Sequence, residues 1–330
     1  MNLPRIAIVA IGRNEGQRLR ACLTAARRRE EAVVVYVDSG STDGSRELAR
    51  SLGASVVELD LSIPFTAARA RNEGFARAVT EAPDLEFVQF LDGDCELRPD
   101  WIERALAELE QRPQAAIVCG RRRERHPDKT IYNLLCDMEW NTPIGRASAC
   151  GGDALMRVSA FKQVNGYDAS VIAGEEPEMC VRLRQKGWEI YRIDAEMTLH
   201  DADMTRIVQW WKRNVRAGHA YAEGHHMHGS PPERHWAKPV RSNWVWGGIV
   251  PLIALLAAWP TYGLSLLLLL AYPLQAYKIY RHSKTRFDSS AAMKQAMFIV
   301  LGKFPQMIGQ AKYQWNRLTG RRSRIIEYKG

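Results

Sequence analysis

Four short apolar runs, separated by helical stretches, occur in the first 92 residues of this chain. They are rich in β-branched and aromatic residues and span residues 5–11, 32–38, 54–60 and 86–92. Helical patterns follow the first run and again follow Pro64. Strands that alternate with helices form right-handed βαβ units, so the pattern predicts an α/β fold with a mainly parallel, covered sheet. In such sheets, ligands bind beyond the carboxyl ends of the strands.

Charge is divided unevenly along the chain. Residues 1–235 contain 32 basic and 35 acidic side chains, and residues 236–330 contain 14 and 2. A nucleic-acid-binding protein carries its positive charge on the folded domain that contacts phosphate, whereas here the positive charge borders an apolar C-terminal stretch. We therefore predict two regions that meet near residue 235, and no nucleic-acid partner.

The cysteines and the N-terminus help to exclude secreted, disulfide-rich classes. The six cysteines form no C-x-x-C pair and have no recurrent spacing, so we interpret them as buried thiols of a reducing compartment. The first apolar run has only about six residues between charges, which is too short for the core of a signal peptide. The cysteines are Cys22, Cys95, Cys119, Cys136, Cys150 and Cys180.

The C-terminal region begins with an uncharged stretch at residues 244–277. As one straight helix it would be about 51 Å long, against roughly 30 Å of bilayer hydrocarbon. A turn sequence at 260–263 divides it, and basic residues flank both ends. Because such flanks stay cytoplasmic, we predict a transmembrane or re-entrant helical hairpin over residues 244–278. The alternative is a buried helical pair in a soluble core.

Apolar residues recur at helical spacing after the hairpin, from Met293 to Trp315, with lysines among them. This pattern predicts a basic amphipathic helix over about residues 290–316, lying in the headgroup plane or packed back on the folded domain. We expect Pro305 to kink the helix. A basic tail that suits anionic lipid ends the chain. The tail contains Arg321, Arg322, Arg324 and Lys329.

Three of the four predicted strands end in acidic or small polar residues. The segment VDSGSTDGS, at 37–45, follows the second strand and is also consistent with an N-capped turn. The fourth strand ends in FLDGDCE, in which Asp92 and Asp94 flank a glycine. Two carboxylates on one side of an extended turn suit Mg²⁺ or Mn²⁺ bound to a diphosphate better than zinc. Neither a P-loop nor a dinucleotide-binding glycine motif is present.

Six segments together resemble the inverting family 2 glycosyltransferases of the GT-A fold. They cover roughly residues 4–220 in the family's order. The resemblance implies a GT-A glycosyltransferase catalytic domain with a Rossmann-like fold over residues 1–235, and a membrane-associated region over 236–330. The segments are Arg13-Asn14-Glu15, VDSGSTDGS, ARARNEG (68–74), FLDGDCE, GGDALMRVSAFKQVNGYD (151–168) and GEEPEMCVRLRQKGWEI (174–190).

The resemblance implies a donor pocket at the carboxyl edge of the sheet. The implied nucleotide-sugar-binding residues are Asp38, Ser39, Arg71, Asp92, Gly93 and Asp94. The implied metal ligands are Asp94, Asp92 and His200. Among these, Asp94 is the stronger ligand in the family's pattern. A histidine at position 200 is also consistent with a purely structural residue.

On the acceptor side, Glu175 and Glu176 match the family's Glu-Asp pair, whose second member is the general base. Glutamate replaces aspartate at this second position, so the base at Glu176 is one methylene longer. The implied acceptor-binding residues are Gly152, Asp153, Trp210 and Trp211. The two tryptophans are also consistent with core packing or with a membrane interface.

An inverting sugar transfer requires such groups independently of the resemblance. The acceptor hydroxyl must lose its proton as it attacks, so one carboxylate is needed as a general base. The leaving diphosphate gains negative charge, which a divalent cation and Arg71 neutralise. Repulsion among Glu175, Glu176 and Glu178 raises the pKa of one of them, as suits a base. The same glutamates also fit the acidic first turn of a helix.

Two later segments argue against other activities. Gln209 is followed by Lys212 and Arg213 where the Gln-x-x-Arg-Trp motif of processive polysaccharide synthases has Arg and Trp. We therefore do not predict processive polymerisation. The histidine-rich segment 225–228 precedes two prolines, and we interpret it as a solvated linker in preference to a metal site.

We therefore predict a membrane-attached, metal-dependent inverting glycosyltransferase that uses Mn²⁺ or Mg²⁺. Its expected donor is a UDP- or GDP-type sugar nucleotide, and its expected acceptor is a lipid-linked or cell-envelope glycan of polysaccharide or glycolipid biosynthesis. The expected location is the inner membrane, with the catalytic domain on the cytoplasmic side. The alternatives are a nucleotidyltransferase of sugar or lipid phosphates and a non-catalytic membrane scaffold.

Overall fold

A computed structural model describes residues 5–321, 323 and 325–327. The chain forms two compact units, which we call the sheet unit and the helical unit. The sheet unit comprises Met1–Pro127 and Cys136–Asp203, and the helical unit comprises Asp128–Leu135 and Met204–Gly330. The functional division near residue 235 stays a prediction.

One sheet of nine strands forms the centre of the described part of the sheet unit. The strand order is β3-β2-β1-β4-β8-β6-β9-β5, and β7 pairs with β9. The strands are β1 Ile6–Gly12, β2 Val33–Asp38, β3 Ser55–Glu58, β4 Phe87–Asp92, β5 Cys95–Leu97, β6 Ala115–Glu124, β7 Gly145–Ala147, β8 Ala154–Arg157 and β9 Glu189–His200.

The four predicted strands are confirmed as β1 to β4, and they pair in parallel. Beyond β4 the sheet is mixed, because β8 pairs antiparallel with both β4 and β6. The predicted α/β fold is thus confirmed, with a mostly parallel sheet that also contains antiparallel strands. In the register, Gly12 lies opposite Asp38 and Ile11 opposite Asp92. The acidic ends of β2 and β4 therefore lie at one edge, on either side of β1.

Helices cover the sheet, and small residues allow their close approach. The helix α3 begins after Thr66, whose hydroxyl accepts a hydrogen bond from the Arg69 amide at 3.1 Å. A Cβ at Gly74 would lie 2.3 Å from a Val9 methyl carbon, so only glycine lets α3 pack this closely on β1. The helices are α1 Gln17–Ala26, α2 Ser45–Ser51, α3 Ala67–Glu81, α4 Trp101–Gln111, α5 Ile131–Trp140, α6 Val158–Gln163 and α7 Glu175–Gln185.

In the helical unit, α8 and α13 pack at very short range. A Cβ at Gly218 would lie 1.9 Å from the Gln306 carbonyl oxygen, and one at Gly309 would lie 2.0 Å from that of Val215. The helices are α8 Ile207–His228, α9 Ala237–Trp244, α10 Val250–Leu256, α11 Ala271–Ser283, α12 Ser289–Leu301 and α13 Lys303–Leu318. A π-helical turn, Val245–Ile249, precedes α10, and a 3₁₀ helix, Leu264–Leu270, precedes α11.

The uncharged stretch is folded back on itself between α10 and the 3₁₀ helix. Tyr262 and Gly263 both have positive φ at this reversal. The Ser265 hydroxyl donates a hydrogen bond to the Ala254 carbonyl oxygen at 2.7 Å, and the Tyr272 hydroxyl donates one to the Trp246 carbonyl oxygen at 2.5 Å. These bonds hold the two arms of the hairpin together.

Within the described residues, no helix has both the length and the apolar composition that a membrane crossing needs. The prediction of transmembrane helices is therefore not supported. The stretch is divided into short segments of different helix type: α10 and the 3₁₀ helix have seven residues each, and a chain reversal at Tyr262 and Gly263 separates them.

The segment predicted as one amphipathic helix over residues 290–316 forms two helices. The break lies at Gly302, three residues before Pro305. Because a proline in the first turn of a helix loses no internal hydrogen bond, Pro305 is accommodated at the start of α13. Of the predicted basic tail, Arg322, Arg324 and Lys329 lie outside the described residues.

Candidate active site

The loop after β2 is organised by the buried carboxylate of Asp38. Its Oδ2 accepts hydrogen bonds from the amides of Gly40 and Ser41 at 3.0 and 2.9 Å. Its Oδ1 accepts one from the Tyr36 hydroxyl at 3.2 Å. The buried Ser39 donates its amide to the Gly12 carbonyl oxygen at 3.0 Å. The predicted nucleotide residues Asp38 and Ser39 therefore lie side by side at the carboxyl edge.

Asn14 ties the loop after β1 to the same place. Its amide donates to the Ser41 hydroxyl at 2.9 Å, and its Oδ1 accepts from the Thr42 amide at 2.7 Å. Asn14 has φ of 57°, a conformation that asparagine tolerates better than most residues. The two loops consequently form one rigid rim.

The turn between β4 and β5 brings Asp94 next to His200, the last residue of β9. Asp94 Oδ2 and His200 Nε2 are 3.1 Å apart, and both side chains are buried. Within the described part of the chain, His200 Nδ1 has no hydrogen-bond partner. Cys95 is the third group near enough to share a metal, but its soft sulfur suits Mg²⁺ and Mn²⁺ less well than oxygen ligands do.

The Asp94–His200 pair fits a divalent cation. Cations such as Mg²⁺ take octahedral ligands at about 2.1 Å, so two ligand atoms at right angles lie about 3 Å apart. The observed separation of 3.1 Å matches this geometry without rearrangement. An oxygen and an imidazole nitrogen also suit Mn²⁺ and Mg²⁺ better than a thiolate-rich set. These residues could therefore hold the predicted metal.

Asp92 has a different environment, since two arginines engage its carboxylate. Arg71 Nη2 lies 2.8 Å from Asp92 Oδ1, and Arg122 Nη2 lies 3.3 Å from Oδ2. Although burial raises the pKa of Asp92, the two guanidinium groups outweigh it and hold this pKa below its ordinary value. The predicted metal role of Asp92 stays a prediction, and its present contacts are to arginine.

Arg122, on β6, is a site residue that the sequence reasoning missed. Its Nε lies 3.0 Å from Asp153 Oδ2, and Asp153 Oδ2 also accepts the Thr198 hydroxyl at 2.8 Å. Asp153 Oδ1 accepts the Asp92 amide at 3.0 Å. Arg122 lies in an arginine-rich run whose neighbours pair elsewhere, so the sequence gives no sign of which arginine faces the site.

Gly152 leaves room for Arg71. A Cβ at this position would lie 2.5 Å from Arg71 Nη2 and 2.9 Å from Asp92 Oδ2. Asp153 is fully buried, and both of its oxygens have protein partners. The acceptor role of Gly152 and Asp153 stays a prediction. In the structure, Gly152 leaves room for Arg71, and Asp153 pairs with Arg122.

Arg71 also joins the glutamates of α7 to this network. Its Nη1 lies 2.8 Å from Glu175 Oε1 and 3.0 Å from Glu176 Oε1. The helix α7 starts directly after Gly174, which has φ of 83°, so both glutamates lie in its first turn. Burial, followed by the charge of Glu175, raises the pKa of Glu176 to about 7, although Arg71 lowers it. Burial thus contributes more than the predicted repulsion.

Glu178 is engaged elsewhere. Its Oε2 lies 2.6 Å from Arg182 Nη2, and Arg182 Nη1 donates to the Gly166 carbonyl oxygen at 2.8 Å. This pair fastens α7 to the loop before it. Glu176, in contrast, contacts Arg71 and has a pKa raised to about 7.

The remaining sequence-predicted residues lie in the helical unit. Trp210 is buried, with its ring edge-on to Phe298 at a centroid distance of 5.0 Å, as core packing predicts. Trp211 is 36% exposed. The segment 225–228 forms the last turn of α8, so the prediction of a linker there is wrong. A helix continues because nothing breaks it before Gly229.

Comparison with known proteins shows what the chain is similar to. Residues 7–164 match the family model "Glycosyl transferase family 2", and residues 134–206 match "N-terminal domain of galactosyltransferase". The chain is 26% identical over 212 residues to the succinoglycan biosynthesis protein ExoA of Rhizobium meliloti, covering 59% of this chain and 61% of that protein. It is 29% identical over 200 residues to glycosyltransferase AglE of Haloferax volcanii, covering 57% and 64%.

The chain thus spans somewhat less than two thirds of the length of these relatives. Among solved structures, it resembles the mannosyltransferase PcManGT from Pyrobaculum calidifontis in complex with GDP-Man and Mn²⁺, with a TM-score of 0.61 and 16% identity. This likeness covers 95% of this chain and 88% of the other. At such identity it supports the fold alone.

Proposed function

We propose that this protein, whose residues 7–164 carry a family 2 glycosyltransferase domain, transfers one sugar from a nucleotide diphosphate donor to an acceptor hydroxyl with inversion. The observation that carries the proposal is that one guanidinium group, that of Arg71, connects the candidate general base to the candidate metal-binding turn. Arg71 contacts Glu176 on one side and Asp92 on the other, and Asp92 is followed two residues later by the Asp94–His200 pair.

On the donor side, Asp94 and His200 would hold a divalent cation, and Asp38 and Ser39 would border the nucleoside. The cation, when bound, neutralises negative charge on the diphosphate. Arg71 and Arg122 are already positioned beside Asp92, where they would stabilise the leaving diphosphate as its charge develops. Sugar nucleotides of the GDP type and of the UDP type are both candidate donors. PcManGT was solved with GDP-Man, which is of the GDP type.

On the acceptor side, Glu176 would accept the proton of the attacking hydroxyl. A general base works best when its pKa lies close to the working pH, and the pKa of Glu176 is raised to about 7. Arg71 holds the carboxylate at 3.0 Å, which fixes its orientation. Since attack must come from the face opposite the leaving group, inversion follows from one base and one displacement.

Metal use is tested with Asp94→Ala, measured with Glu31→Gln as an exposed control. We expect loss of transfer and loss of the rise in melting temperature that Mn²⁺ plus nucleoside diphosphate gives the wild type. Full activity of the wild type in EDTA would contradict the metal role. The released product separates the enzyme classes, because a nucleotidyltransferase frees pyrophosphate and a sugar transferase frees a nucleotide.

Membrane attachment, on the cytoplasmic side of the inner membrane, is part of the proposal. The hairpin exposes large apolar side chains, among them Leu256 (71%), Trp259 (92%) and Tyr262 (99%). Basic residues border it, and residues 236–330 carry 14 basic against 2 acidic side chains. An apolar surface rimmed by positive charge suits anionic lipid. A lipid-linked or envelope-glycan acceptor follows from that location.

Vesicle flotation tests the attachment. The wild type should float with vesicles of phosphatidylglycerol and phosphatidylcholine, and a variant with Leu256, Trp259 and Tyr262 changed to Ser should not. If both proteins float to the same extent, membrane attachment through the hairpin is contradicted. Transfer to a lipid-linked acceptor should exceed transfer to the same glycan in soluble form, and equal rates would contradict the lipid-linked acceptor.

A further inference from the structure

An aromatic side chain, Trp140, lies beside the Asp94–His200 pair. Its ring centroid is 4.5 Å from that of His200, at an interplanar angle of 51°. The Arg122 guanidinium carbon lies 5.5 Å from the same indole centroid. Trp140 is only partly buried, and its ring contacts the His200 ring of the site.

The end of α5 that carries Trp140 is fixed on β6. Asp137 Oδ2 lies 2.7 Å from Arg121 Nη2, and Asp137 Oδ1 accepts the Glu124 amide at 2.9 Å. Arg121 Nη1 also donates to the Asp137 carbonyl oxygen at 2.9 Å. Trp140 follows three residues later, so its backbone is positioned by these bonds. A rigid aromatic wall loses little entropy when a ligand binds.

The order of strands tells which part of the donor Trp140 would meet. Asp38 ends β2 and Asp92 ends β4, two strand spacings away across β1, or about 9.6 Å. A donor whose nucleoside lies at Asp38 and whose diphosphate lies at Asp94 must extend its sugar further along the sheet edge. The strands in that direction are β8, β6 and β9. Arg122 lies on β6 and His200 on β9, and Trp140 contacts His200.

We propose that Trp140 forms a wall of the donor-sugar subsite and stacks its indole on the C–H face of the transferred sugar. This inference rests on the proposed function, because it takes the donor to be a sugar nucleotide. An indole offers a broad apolar face with a polar edge, which suits a sugar ring that is apolar on its faces and polar around its rim. Arg122, beside the indole, would contact the phosphate to which that sugar is attached.

The test compares donors with and without the sugar in the full-length protein. Calorimetry with Mn²⁺ measures the Kd values of GDP-mannose and GDP, and of UDP-glucose and UDP, for wild type, Trp140→Ala and Trp140→Phe. Trp140→Ala should weaken binding of the sugar nucleotide about 3- to 10-fold and leave binding of the free nucleotide within about twofold. Trp140→Phe should keep most of the affinity, since it retains an aromatic face.

The control is Trp188→Ala, which removes a partly buried tryptophan of the sheet unit that donates to Gln163. It should change none of the four Kd values. Equal losses for sugar nucleotide and free nucleotide in Trp140→Ala would overturn the inference, because they would mean that Trp140 only supports His200. An unchanged Kd for the sugar nucleotide would overturn it as well. Failure of the wild type to bind any sugar nucleotide would overturn both this inference and the proposed function.

Discussion

Replacement of Glu176 by glutamine should abolish sugar transfer and yet make the protein more stable at alkaline pH. The folded state holds the pKa of Glu176 at about 7, against an ordinary value of 4.5. The folded protein therefore binds this proton more tightly than the unfolded chain does. Stability from this group is complete below pH 4.5 and is lost as the pH rises through 7. Glutamine stays neutral, so Glu176→Gln has no such loss.

The size of the effect follows from the same values. The difference between 4.5 and about 7 corresponds to about 3 kcal/mol, because each tenfold change in proton affinity is about 1.4 kcal/mol. The unfolding entropy is about 2.1 cal/mol/K per residue. A free-energy difference of about 3 kcal/mol therefore shifts the Tm by about 4 °C if the whole chain unfolds together, and by about 7 °C if the sheet unit unfolds alone. Arg71 can still donate to the glutamine oxygen.

Thermal unfolding in EDTA at pH 5 and pH 8 measures the effect. The Tm of Glu176→Gln minus that of the wild type should be about 1 °C at pH 5, where about a quarter of the effect has developed, and about 4 °C at pH 8. Glu31→Gln, at an exposed glutamate, should show no difference at either pH. A constant difference at the two pH values, or a variant less stable than the wild type at pH 8, would refute the reasoning about burial and charge at this site.

Three further predictions concern the same network. The kcat/KM of the wild type should fall as the pH drops below the pKa of Glu176, which is about 7 without the cation and lower with it bound; a profile that stays flat down to pH 4 would exclude Glu176 as the base. Gly152→Ala should cost about 1–3 kcal/mol in denaturant unfolding and reduce transfer, because its Cβ would lie 2.5 Å from Arg71 Nη2. The neighbouring Gly151→Ala is the control, since no atom lies within 4 Å of its added Cβ, and equal costs would contradict the steric argument. Asp94→Ala should lose at least about 100-fold in transfer at saturating Mn²⁺, measured as nucleotide release, and a loss below threefold would contradict its place beside the diphosphate.

Local sequence patterns were sufficient for the first half of the sheet. The strands β1 to β4 are short apolar runs that alternate with helices, so their parallel pairing could be predicted, although β4 pairs with β1 and not with β3. Asp38 and Asp92 could be placed at one edge for the same reason. The residues of α7 were found through the resemblance, and Gly174 shows why the helix begins where it does.

The second half of the site depends on contacts that the sequence does not encode locally. Asp94 and His200 are 106 positions apart in the chain, and Arg122 and Asp153 meet only because β8 inserts antiparallel between β4 and β6. Pairing of β6 with β9 also contains register shifts, which change the face to which each side chain points. Trp140 carries no motif, so only its position beside His200 indicates a role.

The charges of the site explain why a divalent cation and the unusual pKa belong together. Its carboxylates are Asp92, Asp94, Asp153, Glu175 and Glu176, and its guanidinium groups are Arg71 and Arg122. Carboxylates exceed guanidinium groups by three. In a buried site, this excess of negative charge favours protonation of one carboxylate, which is that of Glu176. A divalent cation at Asp94 and His200 would offset most of the excess and so lower the pKa of Glu176 towards its ordinary value. The pH at which the Tm gain of Glu176→Gln appears should therefore fall when Mn²⁺ replaces EDTA, and an unchanged pH would mean that the cation binds elsewhere.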